Sequence, residues 1–238
     1  MIYLIAEDET KRRSLIKETI TENLRRVQER IDRAARLSGR DPSAITIIGA
    51  TKTVLVEILR VSLEVGITQF GENYVQEAKR KRAELEQTGL RPKWHLIGHL
   101  QTNKVTDALS AFDVIQTVDS IRLAEAIARR AEKQIPVMLE VNMGEEPTKY
   151  GFKPSDVASA CRDLQRLPEL SITGLMTIAP EVDDPEKVRP LFQSLRLLRD
   201  DLGLQELSMG VTGDFEVAIE EGATMVRIGR ALFGARPG

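Results

Sequence analysis

The stretch Ile45-Thr46-Ile47-Ile48-Gly49-Ala50-Thr51-Lys52-Thr53 decides the fold of this chain. A six-residue apolar run rich in β-branched side chains follows the turn-prone Arg40-Asp41-Pro42-Ser43 and leads into a lysine. Such a run, bounded by turn residues, fits a strand buried on both faces, as strands of parallel sheets are. The carboxyl ends of parallel strands carry the ligand site in open and closed α/β sheets alike. Lys52 therefore has two readings. Desolvated at such an end, its amine has a depressed pKa and can attack an aldehyde to form an imine. Alternatively, its stem lies along apolar surface and its charge reaches solvent. Position alone leaves both open.

The strand pattern recurs outward from this point. Upstream, Leu15, Ile16, Ile20, Leu24, Val27, Ile31 and Ala35 recur at steps of three and four. They mark an amphipathic helix that stops near Ser38-Gly39. Residues 1–13 show no period and are expected to be a loose extension, leaving 14–238 as one domain. Downstream, strand-like runs end near positions 70, 97, 118, 141, 175, 208 and 228, with helical patterns between them. Eight buried strands alternating with helices require right-handed crossovers. They fit a single α/β fold, a (β/α)8 TIM-type barrel with an extra N-terminal helix over the seam between last and first strands. An open doubly wound sheet is the competing arrangement. Pro190 would interrupt the helix that reaches Leu202, so that helix is expected to start later than Asp184-Pro185-Glu186.

The 238 residues are 42% hydrophobic and carry a net charge of −2. That balance gives no bulk attraction to nucleic acid or to an anionic membrane. The single Cys161 excludes an intrachain disulfide and a cysteine metal cluster, and it reads as a small buried apolar residue. No apolar run is long enough to span a membrane. The start, Met1 to Ala6, lacks the basic region of a secretory signal. A cytoplasmic protein is expected.

In a barrel all strand ends share one mouth. Lys52 would there meet Asn73 and Tyr74 after strand two, and His95 and His99 around the end of strand three. Strand seven would bring Ser208-Met209-Gly210-Val211-Thr212-Gly213, and strand eight Arg227-Ile228-Gly229-Arg230. Barrel phosphate sites often use those last two loops. Ser208 and Thr212 offer hydroxyls, and glycines let backbone amides approach an anion. Asp214 and Glu216 argue against an anion unless their side chains turn away. Arg227, between Val226 and Ile228, needs a buried partner, whether a ligand or a neighbouring carboxylate. His95 and His99 are spaced like a metal pair, but nothing completes the site, so His95 is expected to line the mouth. Lys79-Arg80-Lys81-Arg82, interleaved with glutamates, reads as a solvated helix face.

Several segments resemble the pyridoxal-phosphate homeostasis family. They are Ala50-Thr51-Lys52-Thr53, the run from Phe70-Gly71-Glu72-Asn73-Tyr74 to Glu77, and the run from Trp94-His95-Leu96-Ile97-Gly98-His99 to Lys104. Lys149-Tyr150-Gly151-Phe152, Gly174-Leu175-Met176-Thr177 and the two carboxyl-terminal loops add to the resemblance, which covers about residues 20–234. It implies a fold-type III barrel similar to the barrel domain of alanine racemase, binding pyridoxal 5′-phosphate (PLP). On this resemblance Lys52 carries PLP as an aldimine. Ser208, Thr212, Gly229 and Arg230 hold its phosphate, Arg227 lies near the pyridine nitrogen, and Asn73 and His95 stand at the rim. Two positions depart from the family pattern: position 230 is usually a small hydroxyl residue, and Thr212 replaces the usual serine.

The resemblance further implies intracellular PLP homeostasis: carriage, buffering or delivery without established turnover. PLP-dependent apo-enzymes are the candidate recipients, and the chain would act as a monomer or weak dimer. An arginine beside the ring nitrogen disfavours its protonation and weakens the ring as an electron sink. The alternative is a PLP-dependent racemase of the same fold, with Tyr74 or His95 as the acid/base opposite Lys52. An aldolase using Lys52 on a phosphorylated sugar is a third reading. The chain is expected to end with the barrel, leaving no second domain to complete a racemase site.

Overall fold

Eight short strands pair in sequence order into one closed, all-parallel sheet. This computed structural model describes residues 9–234. The strands are β1 (Thr46–Ala50), β2 (Gln69–Glu72), β3 (Lys93–Leu96), β4 (Val114–Val118), β5 (Ile135–Glu140), β6 (Leu170–Met176), β7 (Glu206–Val211) and β8 (Met225–Ile228). β8 pairs back onto β1 with Ile48 opposite Arg227, which closes the barrel and excludes the open sheet. Helix α1 (Glu9–Leu37) precedes β1. The crossovers carry α2 (Val56–Glu64), α3 (Val75–Glu86), α4 (Val105–Ala111), α5 (Ile121–Ala128), α6 (Val157–Leu164), α7 (Arg189–Asp201) and α8 (Phe215–Glu220). A single turn, α9 (Arg230–Phe233), follows β8.

The apolar stripe of α1 buries Ile16, Ile20, Val27 and Ile31 against α8, α9 and α2, the place left open by the missing full-length eighth helix. The Asn23 amide donates to the Leu232 carbonyl at 2.9 Å. The Arg30 guanidinium sits 4.3 Å from the centre of the Phe215 ring. Gly39, at φ +69°, lets the Arg40 amide reach back to the Ala35 carbonyl and end the helix. α1 starts at Glu9, so residues 9–13, expected to be loose, are its first turns. Arg12 and Arg13 hold them down by pairing with Glu57 and Glu64 of α2. Residues 1–8 of the expected extension lie outside the described residues. Pro190 falls in the first turn of α7, where its missing N–H costs nothing.

Large apolar side chains such as Phe70, Trp94, Phe192 and Phe215 fill the layer between sheet and helices. Each contributes about 1.5–3 kcal/mol on full burial. A second, small apolar cluster is made by Ile48, Met138, Met176 and Met225, all on strands. Buried polar residues fill the rest of the interior, and those on β8 and β5 lie toward the carboxyl ends of their strands. Among the described residues no helix is long and apolar enough to cross a membrane. Cys161 is buried in α6, as expected, and burial pushes its thiol up.

Candidate functional site

Lys52 stands two residues past the end of β1, on a backbone held in an uncommon shape. Thr53 has φ +65°, a left-handed conformation that a β-branched residue adopts only when its surroundings enforce it. The enforcement is visible on both sides of Lys52. The Thr53 amide donates to Glu77 Oε1 at 2.8 Å, and the Thr51 hydroxyl donates to Glu72 Oε1 at 2.7 Å. Lys81 Nζ, fully buried, donates to the Thr51 carbonyl at 2.6 Å and pairs with both Glu72 and Glu77. Burial pushes the Glu72 carboxyl up. Burial acts the same way on Glu77, but hydrogen bonds from Lys81 and the Thr53 amide outweigh it and hold Glu77 below its usual value. The Lys52 ammonium itself lies 5.1 Å from the centre of the Tyr74 ring and has no carboxylate partner among the described residues.

The expectation that the whole run Lys79–Arg82 is a solvated face is corrected at Lys81, which turns inward beneath the lysine loop. Only the pair of carboxylates waiting there makes its burial tolerable.

Across the barrel, Arg227 starts a one-way chain of hydrogen bonds. It is 4% exposed, and its Nη2 donates to the Thr177 carbonyl at 2.7 Å. Its Nη1 donates to Ser208 Oγ at 2.7 Å, and Ser208 donates to Gln116 Oε1 at 2.7 Å. Gln116 Nε2 meets His95 Nδ1 at 3.0 Å, and His95 Nε2 meets Gln69 Oε1 at 2.8 Å. A guanidinium can only donate, so every later hydrogen points the same way and His95 is neutral with its proton on Nε2. Burial pushes His95 down to about 3. Burial also pushes Arg227 down to about 10, against the pull of Asp214 and Glu140, and it remains charged at neutral pH. Neither carboxylate is within ion-pair distance, so the structural ion pair considered for Arg227 is absent among the described residues.

Two expectations change here. His95 does not line the mouth: it is fully buried inside the barrel, with both ring nitrogens engaged. Ser208 likewise turns its hydroxyl into the interior, onto Arg227 and Gln116. His99, four residues on, turns instead to Asp119, 3.0 Å from Nδ1, and stacks on Tyr150 at 3.5 Å.

The loops after β7 and β8 present unused donors. The amides of Thr212, Gly213, Gly229 and Arg230 donate to no protein group among the described residues, and the Thr212 hydroxyl is equally free. Gly210 must be glycine, because at φ +91° a Cβ would lie 2.7 Å from that of Ala218. Gly213 and Gly229 are required by neither φ nor packing: a Cβ meets nothing at Gly213 and makes ordinary contact with Ala50 at Gly229. What glycine leaves at these two positions is open access to the amides. The acidic neighbours turn away. Asp214 folds back to accept the Val211 amide at 2.6 Å, and Glu216 pairs with Arg30 at 2.7 Å. Arg230, exposed at the start of α9, has no carboxylate partner among the described residues.

Asn73, just past β2, lines a cavity of about 640 Å³ together with Tyr74, Gln76, Lys104 and Tyr150. The mouth thus gathers an unpaired primary amine, a set of free amides with an arginine beside them, and a buried cation that can only donate. Gln69, Gln116 and Glu140 are not among the residues singled out from the sequence. Gln116 inside Val114-Ile115-Gln116-Thr117-Val118 carries the same signal that singles out Arg227, a polar residue in an apolar strand.

A profile of the family described as "Alanine racemase, N-terminal domain" matches residues 17–237. A protein of Aquifex aeolicus named pyridoxal phosphate homeostasis protein is 44% identical over 224 residues, covering 90% of this chain and 97% of its own. The solved structure of PipY from Synechococcus elongatus, with PLP bound, is 35% identical with a TM-score of 0.78, covering 90% of this chain and 100% of its own. Alanine racemase from Corynebacterium glutamicum, 18% identical, shares the fold with a TM-score of 0.70 over 93% of this chain and 62% of its own. By its profile match and by its identity to full-length relatives, the chain belongs to the alanine racemase N-terminal domain family, in the branch of the pyridoxal phosphate homeostasis proteins.

Proposed function

We propose that the barrel mouth binds PLP through Lys52 and that the chain serves intracellular PLP homeostasis by carrying, buffering or delivering the cofactor. One observation carries this reading: an amine without a carboxylate partner, on a clamped loop, shares a mouth with four unused backbone amides. When bound, PLP supplies an aldehyde that a lysine amine can capture and a ring that can draw off electrons. Lys52 Nζ offers that amine, and the Glu72–Lys81–Glu77 cluster keeps its loop in place. The amides of Thr212, Gly213, Gly229 and Arg230, with the Thr212 hydroxyl, suit a phosphate, and the Arg230 guanidinium adds positive charge beside them. Asn73 lines the side of the mouth.

Arg227 faces the ring nitrogen in this reading and offers it only N–H groups, so the nitrogen accepts and stays unprotonated. Ser208 and His95 act through Arg227 rather than on the cofactor. A racemase would need an acid/base opposite Lys52. Of its two candidates, His95 is held neutral with both nitrogens engaged, which favours carriage over turnover. PLP-dependent apo-enzymes are the proposed recipients, with the chain acting as a monomer or weak dimer. Titration with PLP tests the reading. The wild-type chain is expected to develop visible absorbance, and Lys52→Ala to lose it. Equal absorbance in both would refute it.

A further inference from the structure

One buried ionisable group in the mouth has no role in the cofactor reading. Glu140, the last residue of β5, is 8% exposed, and its carboxyl Oε2 is buried with no hydrogen-bond partner among the described residues. Buried carboxyl groups are ordinarily paired or hydrogen-bonded, so this one invites a ligand that donates. Glu140 lines a cavity of about 230 Å³, bounded also by Asn73, Ile97, His99, Tyr150 and Ile178. The stacked His99 and Tyr150 rings stand together on one side of it. Among the described residues no side chain lining the cavity donates to the carboxyl, and Arg227 acts on it only from beyond ion-pair distance. Asn142 donates its amide to the Glu146 and Lys149 carbonyls, and Lys149 Nζ pairs with Glu146 at 2.7 Å. The Asn73 side chain makes no hydrogen bond among the described residues, so its oxygen is open. The described residues hold no group of three His, Cys, Asp or Glu side chains that could ligate a metal ion.

We propose that this cavity takes the primary ammonium group of a small amine or amino acid, with Glu140 as its counter-ion and Asn73 as a second acceptor. An ammonium has three donors and no acceptor, matching two acceptors and a bridging water. Ile97 and Ile178 provide apolar wall for the attached carbons. At a share of about 30 Å³ per water, the cavity holds roughly eight waters, room for an amine of a few heavy atoms. The inference deepens the cofactor reading and rests on it for its meaning. Asn73 and Tyr150 line this cavity and also the one beside Tyr74, so an amine held by Glu140 is a neighbour of the Lys52 loop.

The test is titration of n-butylammonium chloride into the full chain, followed by methyl NMR of Ile97 and Ile178, with PLP uptake read separately from visible absorbance. Saturable shifts are expected, weakened roughly tenfold or more for butan-1-ol and for Glu140→Gln, because a charge-assisted hydrogen bond is lost in each. Equal response to the alcohol and the ammonium in the wild-type chain would overturn the site, as would no saturable shift. A chain that binds the amine but not PLP keeps this site and refutes the cofactor reading. A chain that takes up PLP but shows no amine shift does the reverse.

Discussion

Lys81 Nζ donates to the backbone carbonyl of Thr51 at 2.6 Å, one residue before the lysine on which the proposed function turns. The same ammonium holds Glu72 and Glu77, which in turn fix Thr51 and Thr53. Removing it leaves two carboxylates facing each other, one of them fully buried. Lys81→Met is therefore expected to cost about 3–5 kcal/mol in urea denaturation, the usual cost of breaking a buried pair. Arg80→Met, one residue earlier but exposed, should change stability by less than about 0.5 kcal/mol. Similar effects at both positions would refute the clamp.

The strands were legible because their runs are apolar and β-branched, and the alternation with helices left few topologies. Lys52, Arg227 and the two glycine loops were legible by the same logic of strand ends. Lys81 was not, because a basic residue among three others looks solvated until its carboxylate partners, nine and four residues away, fold beneath it. The chain from Arg227 to Gln69 joins β8, β7, β4, β3 and β2, so no local pattern announces it. His95 was placed at the mouth because a histidine near a strand end suggests a site. Its partners Gln69 and Gln116 instead satisfy it in the interior.

Two buried groups should give stability opposing pH slopes. His95 is lowered from 6.5 to about 3, so between these values the unfolded chain binds more protons and stability is lost as pH falls. Glu140 is raised from 4.5 to about 7 by burial, with Asp119 adding to the rise and Arg227 opposing it. Between those values the folded chain binds more protons, and stability is lost as pH rises. From pH 4.5 to 6.5 the two oppose each other. Relative to wild type, Glu140→Gln should unmask a loss of about 1.4 kcal/mol per unit of falling pH, and His95→Gln a loss of similar size per unit of rising pH. Urea midpoints across this window decide it. Parallel profiles for the two variants would contradict the burial argument.

Gly229→Val should leave the fold largely intact, since the first added carbon makes only ordinary contact with Ala50. PLP binding should weaken roughly tenfold, about 1.4 kcal/mol, as the branched side chain screens the amides. An unaltered PLP affinity would place the phosphate elsewhere.

Arg227 is proposed to keep the ring nitrogen of PLP unprotonated. Suppressing that protonation by two units corresponds to about 2.7 kcal/mol, and much of the ring's capacity to stabilise a carbanion would go with it. Nitrogen-15 NMR of labelled PLP on the wild-type chain at pH 7 should give a pyridine-type shift, and Arg227→Glu a pyridinium-type shift. A pyridinium-type shift in the wild type would end the proposal that Arg227 keeps the ring nitrogen unprotonated.

The central claim is that Lys52 is the residue that holds PLP, and peptide mass mapping after borohydride reduction of the PLP-loaded chain tests it most directly. The account predicts a pyridoxyl adduct on the peptide containing Lys52. An adduct carried mainly by Lys104 or Lys149, which line the neighbouring cavities, would contradict it.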